Sequence, residues 1–258
     1  MSRSFFVGSA LPPLQVGKEL EWTFDDLMVF FALNLTRAQK SQVDQIRQLI
    51  DLTNVRQILR EKPLDPHGRL TEKELDEALV HREGLPDYLY THLDAFDSAA
   101  EQERHYARVL IAFFHEMKEK TRGFLQFYFS FEREWRLVLL GLRAKRMKMD
   151  LTSELQYEDF TDPLVAELLA QKDTKQFEFP FEYRDLGNRL EGTEADPLAE
   201  HRVLTKYQFD TIGEQFCDDP FSGPAILGYF VQFMLIEDDN HLNDSEGSAW
   251  LNRIATLK

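Results

Sequence analysis

Apolar residues recur at the helical spacing of three and four positions along most of the chain. The stretch from Leu85 to Phe96 keeps one apolar face after Pro86, and the stretch from Tyr106 to Met117 repeats the i, i+3, i+4, i+7 pattern without a gap. This periodicity is typical of amphipathic helices that pack on one side. It predicts a mainly α fold, a multi-helix bundle of roughly nine or ten helices.

Residues that favour helix starts stand where these patterns begin. A Ser, Thr or Asp side chain can accept a hydrogen bond from a free backbone N–H of the first turn, and proline is well accommodated at the first helical position. The predicted starts are Thr23 with Asp26, Thr71 with Glu74, Asp162 before Pro163, Asp196 before Pro197, Gly223 before Pro224, and Asp244 or Ser245 before a last helix that carries Trp250.

Two stretches depart from the helical period. Residues Ser4 to Ala10 form an apolar opening, and aromatic residues alternate with polar ones and a proline from Phe177 to Tyr183. Alternation is typical of extended chain, and Pro180 would confine such a segment to a sheet edge or to a conformation other than a strand. We therefore expect at most one or two short strands, one at each stretch.

The segment from Phe124 to Leu142 is apolar on nearly all sides. Such a helix is expected in the middle of a bundle. It nevertheless contains Glu132, Arg133, Glu134 and Arg136, and charges are tolerated in a core only when they are paired and hydrogen-bonded. We expect Arg136 to belong to a buried ion pair whose loss destabilises the fold.

The composition indicates a globular and strongly acidic protein. The chain has 30 Lys and Arg against 45 Asp and Glu, a formal net charge of −15, and 43% hydrophobic residues. Nucleic acids and anionic membranes carry the same sign, which argues against nonspecific binding to them. The longest apolar run, Ala225 to Ile236, is shorter than the roughly 20 residues of a spanning helix. We expect one helical domain over residues 1–258, monomeric in isolation, with no direct membrane insertion; the single Cys217 is typical of a reducing cytoplasm.

The motifs of common catalytic and cofactor sites are missing from the sequence. No two glycines are separated by one residue, and neither Gly-Lys-Ser/Thr nor Gly-x-Ser-x-Gly occurs, which argues against the common nucleotide-binding and serine-hydrolase motifs. The 7 histidines never fall three to five residues apart, as helical metal ligands do. We expect no catalytic residue, no cofactor and no metal.

Two helical segments share a pattern of an acid, arginines and a basic end. The first carries Asp51, Asn54, Arg56 and Arg60, and the second carries Glu132, Glu134, Arg136 and Arg143. In both, an acid precedes an arginine by four or five positions, and the basic residues of the last turns complement the helix dipole. From the pattern alone, each is a helix with an internal ion pair and a favourable C-terminus.

These two segments are similar to the helices with an acid, Asn, Leu-Arg and Leu-Arg-Ala-Lys that recur in the C-type subunit of A/V-type rotary ATPases, known as the d-type subunit in eukaryotic V-ATPases. The order of features also resembles a family of bacterial proteins encoded within V/A-type ATPase operons and regarded as divergent forms of that subunit. The further matching features are Phe5 through Pro12, Leu85 through Leu89, Phe131 through Lys145, Leu227 through Tyr229, and Gly247 through Trp250.

The resemblance implies an elongated, funnel-like body of helical pseudo-repeats and a noncatalytic role. Such a protein is a central-stalk adapter: its socket receives the rotating shaft, and its base rests on the proteolipid ring at the cytoplasmic face of the inner membrane. The implied partners are therefore the shaft and ring subunits, and the complex would serve ion transport with ATP synthesis or hydrolysis.

The resemblance also implies which residues line the body, for structural pairing or shaft contact. They are Asp51, Asn54, Arg56, Arg60, Glu132, Glu134, Arg136 and Arg143. Trp135 stands where the pattern has Asn, and the third copy, from Glu200 to Asp210, lacks the Leu-Arg-Ala-Lys ending. The basic cluster of Arg143, Lys145, Arg146 and Lys148 is either a contact for acidic loops of the ring or a partner helix, or a solvated helix end.

Two other functions remain open from the sequence. One is a helical scaffold or regulatory interaction protein unrelated to the ATPase. The other is an enzyme with a carboxylate site built from Glu182, Asp185, Glu191 and Glu194, for which an acidic surface loop is the simpler interpretation.

Overall fold

The chain folds into helices and connecting loops. The computed structural model describes residues 3–193, 195–216, 219 and 221–241, without the side chains of residues 3, 4 and 241. Within these residues the fold is mainly α, as predicted, with 13 α-helices, one short 3-10 helix and no strand. The α-helices are α1 Arg3–Ala10, α2 Phe24–Asn34, α3 Arg37–Leu59, α4 Glu72–His81, α5 Asp87–Asp94, α6 Ala99–Arg104, α7 Ala107–Lys120, α8 Phe124–Met147, α9 Leu151–Glu154, α10 Pro163–Ala170, α11 Arg184–Leu190, α12 Pro197–Glu214 and α13 Gly223–His241.

The helix starts predicted from the sequence are confirmed where the structure describes them. Thr23 and Thr71 form capping boxes with the acid three residues on, and Asp162 and Asp196 each accept two backbone N–H groups of the first turn. The predicted helix around Trp250 lies outside the described residues. More helices are present than expected. Residues 3–10 form a helix where a short strand was allowed, and α6 and α9 span only 6 and 4 residues, which is too short to show a helical period.

The chain divides into two compact units. Unit 1 combines Met1–Ser41 with Phe181–Lys258, and unit 2 is Gln42–Pro180. The single domain over residues 1–258, the funnel-like shape and the pseudo-repeats stay predictions.

Helix α8 is the core element of unit 2. It packs against α7, α9 and α10, and half of its 24 residues are buried, which confirms the interior position predicted for residues 124–142. Leu137 and Ala144 of α8 belong to one apolar cluster with Val165 and Leu168 of α10. The rings of Phe113 on α7 and Phe129 on α8 meet edge to face with centroids 5.3 Å apart, a favourable aromatic geometry.

Unit 1 is organised around α12 and α13, which pack along each other. Phe230 and Phe233 of α13 have no exposed surface, and the Tyr229 hydroxyl donates to the carbonyl of Pro12 at 2.9 Å. None of the described helices combines the length and the apolar character that a membrane span requires.

Neither of the two short strands that the sequence allowed is present. Residues 3–10 form α1, which packs on α13 with Val7 buried, so its apolar residues serve a helix face. Residues 177–180 are extended but have no partner strand within the described chain. Instead the Gln171 side chain donates to the Glu178 carbonyl at 2.8 Å and accepts from its N–H at 2.8 Å. One amide side chain thus takes the hydrogen bonds that a neighbouring strand would have made, and Phe181–Tyr183 follows as the 3-10 helix.

Candidate functional site

The first motif places an acid and an amide in the interior of unit 2. Asp51 on α3 has no exposed surface; its Oδ1 accepts from the Leu70 N–H at 3.0 Å, and its Oδ2 lies 3.2 Å from the Arg69 Nε. Burial raises the pKa of Asp51, and the Leu70 N–H and the Arg69 charge oppose that rise. The carboxylate therefore holds the loop between α3 and α4 from within.

Asn54, one turn further along α3, binds the same loop. Its Nδ2 donates to the Asp65 carbonyl at 2.9 Å, and its Oδ1 accepts from the Asp65 N–H at 2.8 Å. A Cβ atom on Gly68 would lie 2.9 Å from both Asn54 Nδ2 and Asp51 Oδ1. Glycine is therefore required where the loop crosses these two side chains.

Arg56 and Arg60 of the first motif converge on one acid of α6. The Nε of Arg56 lies 3.2 Å and the Nε of Arg60 2.7 Å from the Glu103 Oε1. Burial is the largest influence on Glu103 and raises its pKa, but the hydrogen bonds and charges of the two arginines lower the pKa overall. Tyr106, which is fully buried, donates to the Leu52 carbonyl at 2.6 Å and lies under Arg56.

The second motif contains a looser ion pair than expected. Glu132 and Arg136 stand one turn apart on α8, but the Glu132 Oε2 and Arg136 Nε atoms are 3.7 Å apart, which is too long for a hydrogen bond. Burial raises the pKa of Glu132, and the Arg136 charge acts against that rise. Glu134 is partly buried, and Arg143 is exposed with its Nε 3.4 Å from the Met147 sulfur.

The strongest ion pairs of α8 belong to Arg133, to which the motif assigned no role. Its Nη2 atom lies 2.7 Å from the Oε2 atom of Glu158, and its Nη1 atom lies 2.9 Å from the Oδ2 atom of Asp162. Asp162 also caps α10, so Arg133 fixes the start of that helix against α8. The partners stand 25 and 29 residues away, and no local signal in the sequence identifies them.

A cleft within unit 2 brings the two motifs together. It encloses 330 Å³, and its lining includes Arg56, Arg104, Arg133 and Arg136, with Leu110 and Leu140 among the apolar residues. We call it the arginine cleft. The other six predicted site residues are not among its lining: Asp51, Asn54, Arg60, Glu132, Glu134 and Arg143.

The basic cluster at the end of α8 is divided between two roles. The Lys145 Nζ donates to the carbonyls of Gln171, of Lys172 at 2.8 Å and of Thr174 at 3.0 Å, so it holds the turn that follows α10. Arg143, Arg146 and Lys148 are exposed.

The third copy and the carboxylate alternative both fall in unit 1. In the third copy, Lys206 pairs with Asp210, which also lies 3.3 Å from Arg189. Of the four carboxylates, Asp185 lies 2.8 Å from Arg189 and Glu194 lies outside the described residues. Over the described part of the chain, no three His, Cys, Asp or Glu side chains are grouped to hold a metal.

Comparison with known proteins identifies relatives along almost the whole chain. The model of a family described as "Protein of unknown function (DUF2764)" matches residues 1–257. A Chlamydia pneumoniae protein titled "Uncharacterized protein" is 27% identical over 261 residues, which cover 98% of each chain. A similarly titled Chlamydia trachomatis protein is 24% identical over 258 residues, 98% of this chain and 97% of its own. No solved structure matches.

Truncation of Arg133 is expected to destabilise the fold more than truncation of Arg136. Arg133→Ala leaves two partly buried carboxylates without their hydrogen bonds and should lower the free energy of unfolding by about 2 kcal/mol or more. Arg136→Ala breaks no hydrogen bond to a described residue and should cost at least about 1 kcal/mol less. Urea unfolding, with Arg143→Ala as the exposed control, measures both; an equal or larger loss for Arg136→Ala contradicts this ranking.

The buried carboxyl of Glu132 is expected to make stability fall as pH rises. Its folded-state pKa is raised above the unfolded value of about 4.3, so the folded state binds more protons and loses stability as pH rises from that value through the folded pKa. Glu132→Gln removes this dependence. The free energy of unfolding of the variant minus that of wild type should therefore increase between pH 4 and pH 8.

Urea unfolding at several pH values tests the expectation for Glu132. The exposed Glu167 of α10, changed to Gln in the same way, controls for the lost net charge. A difference for Glu132→Gln that is constant or decreases with pH would show that burial does not raise the pKa of this carboxyl.

Proposed function

We propose that this chain, which belongs to the DUF2764 family, is a noncatalytic adapter in the central stalk of a V/A-type rotary ATPase. It would couple the rotating shaft to the membrane proteolipid ring at the cytoplasmic face of the inner membrane. The starting point is the similarity of residues 51–60 and 132–145 to the recurrent helices of the C-type subunit.

The observation that carries the proposal is how the matching residues are used. Asp51 and Asn54 make their hydrogen bonds to the loop between α3 and α4, and Arg56 and Arg60 make theirs to the Glu103 carboxylate. Buried polar groups of this kind can fix one packing arrangement. A body that transmits torque needs a fixed shape, so internal pairing suits an adapter.

Charge supports the same role. The net charge of −15 favours encounter with a basic shaft, because complementary charge steers association and orientation. The exposed basic residues at the end of α8, Arg143, Arg146 and Lys148, give a local contact for acidic loops of the ring.

One feature favours the alternative of a helical scaffold or regulator. Val29 and Leu33 lie one turn apart on α2 and are 61% and 76% exposed. Exposed apolar residues on one helix face are typical of protein-binding surfaces. In that case the partner would be a protein other than the ATPase.

Recovery of the full-length tagged protein from its native membranes tests the adapter role. After gentle detergent extraction, head, shaft and ring subunits of the ATPase should co-purify with the protein in fixed ratios. Recovery of the protein alone, with the ATPase intact in the unbound fraction, contradicts the proposal. Recovery with a different fixed partner supports the scaffold.

A charge reversal at the basic end of α8 tests which surface contacts the complex. Arg143→Glu should reduce the ATPase recovered per tagged chain severalfold, because it places an acid against the acidic loops of the ring. Lys118→Glu, at an exposed position of α7, makes the same charge change and should leave recovery unchanged. Equal recovery for the two variants would exclude a contact at the end of α8.

A further inference from the structure

We propose that the arginine cleft binds a small organic anion with a phosphate or carboxylate head and an apolar body. The inference concerns unit 2 alone and does not depend on the adapter role. It is carried by the unused hydrogen-bonding capacity of two of the four arginines that line the cleft.

Arg136 has hydrogen-bond donors for which no described residue provides an acceptor. Its Nε atom is shielded from solvent and makes no hydrogen bond, and the nearest carboxylate oxygen, Oε2 of Glu132, is 3.7 Å away. Its guanidinium carbon lies 5.8 Å from the centre of the Phe114 ring, which orients the group within the cleft. A buried donor without an acceptor is costly. The Arg136 side chain as a whole is 39% exposed and lines the cleft, so an anion there would be bound by the exposed part of the guanidinium group.

Arg104 contributes a second uncommitted charge. It ends α6, is exposed, and pairs with no acid that the structure describes. By contrast, Arg56 forms an ion pair with Glu103, and Arg133 forms ion pairs with Glu158 and Asp162.

The lining of the cleft holds four arginines against two acids, which leaves an excess of positive charge. Glu154 and Glu158 are its lining acids, and Glu158 is already committed to Arg133 at 2.7 Å. Arg104 and Arg136 thus line one small space on a chain of net charge −15. Guanidinium groups present paired donors that match phosphate and carboxylate oxygens, so the head of the ligand is an oxyanion.

The apolar wall indicates the rest of the ligand. Leu110 and Ile111 of α7 and Leu140 of α8 line the cleft and are only partly buried. The volume of 330 Å³ lies at the lower end of the range for small-molecule sites, roughly 300–1,000 Å³. An oxyanion with an aromatic or short aliphatic body would cover this wall, whereas inorganic phosphate would leave it in water.

Calorimetric titration of the full chain with phenyl phosphate tests the proposal. Phenyl phosphate should bind with a Kd of about 1 mM or tighter and at least tenfold more tightly than inorganic phosphate, and phenol should not bind. No binding of phenyl phosphate at 10 mM, or equal binding of inorganic phosphate, overturns the proposal.

Two variants locate the binding. Arg136→Gln and Arg104→Gln should each weaken phenyl phosphate binding about tenfold, and Arg143→Gln, outside the cleft, should leave it unchanged. Arg104→Gln changes an exposed side chain at the end of α6, so it tests the cleft even if Arg136→Gln does not fold. Undiminished binding by folded Arg104→Gln, or an equal loss in Arg143→Gln, overturns the assignment to the cleft.

A vesicle experiment distinguishes the two sources of such an anion. If the ligand is a lipid headgroup, the chain should sediment with phosphatidylglycerol vesicles, and Arg104→Gln should abolish this. If it is a free organic anion, phenyl phosphate should bind while the vesicles do not retain the chain. Retention of the chain by the vesicles without binding of phenyl phosphate overturns the proposal, and so does failure of both probes.

Discussion

The carboxylate of Asp51 is the constraint on which the structure around α3 depends. An acid with no exposed surface must be compensated, because moving a charge out of water costs several kcal/mol. Here Arg69 and the Leu70 N–H provide that compensation. Both lie on the loop that leads to α4, so satisfying the acid places the loop. Asn54, one turn further along α3, also binds the backbone of this loop. Gly68 is the residue that lets the backbone approach both side chains.

A second set of charges does the same for α8. Arg133 binds the acid that caps α10, and Lys145 binds the turn that follows that helix. Both side chains therefore contribute to the fold. Of the arginines on the two motif helices, Arg136 is left with an unused buried donor inside a cleft. Arg133 and Lys145 thus hold neighbouring segments in place, whereas Arg136 is the residue of α8 that contributes to the proposed ligand site.

The sequence predicts the local features of this fold well. Side-chain caps such as Thr71 and Asp196 are confirmed because a cap depends on residues at most three positions apart. The burial of α8 is confirmed because its apolar residues surround the helix. The alternation from Phe177 to Tyr183 left a short strand possible, and none forms because the Gln171 side chain takes the hydrogen bonds of Glu178. The partners of the α3 residues, such as Glu103 for Arg56 and Asp65 for Asn54, lie 47 and 11 positions away and are set by tertiary packing.

Asp51 and Asn54 of α3 hold the loop that leads to α4, and amide hydrogen exchange tests this role most directly. The Leu70 and Asp65 amides lie in a loop, but they donate to Asp51 and Asn54 at 3.0 and 2.8 Å. Both amides should therefore exchange as slowly as the interior amides of α3. Exchange of both at the rate of an unprotected loop would contradict the account, because it would mean that Asp51 and Asn54 do not hold the loop.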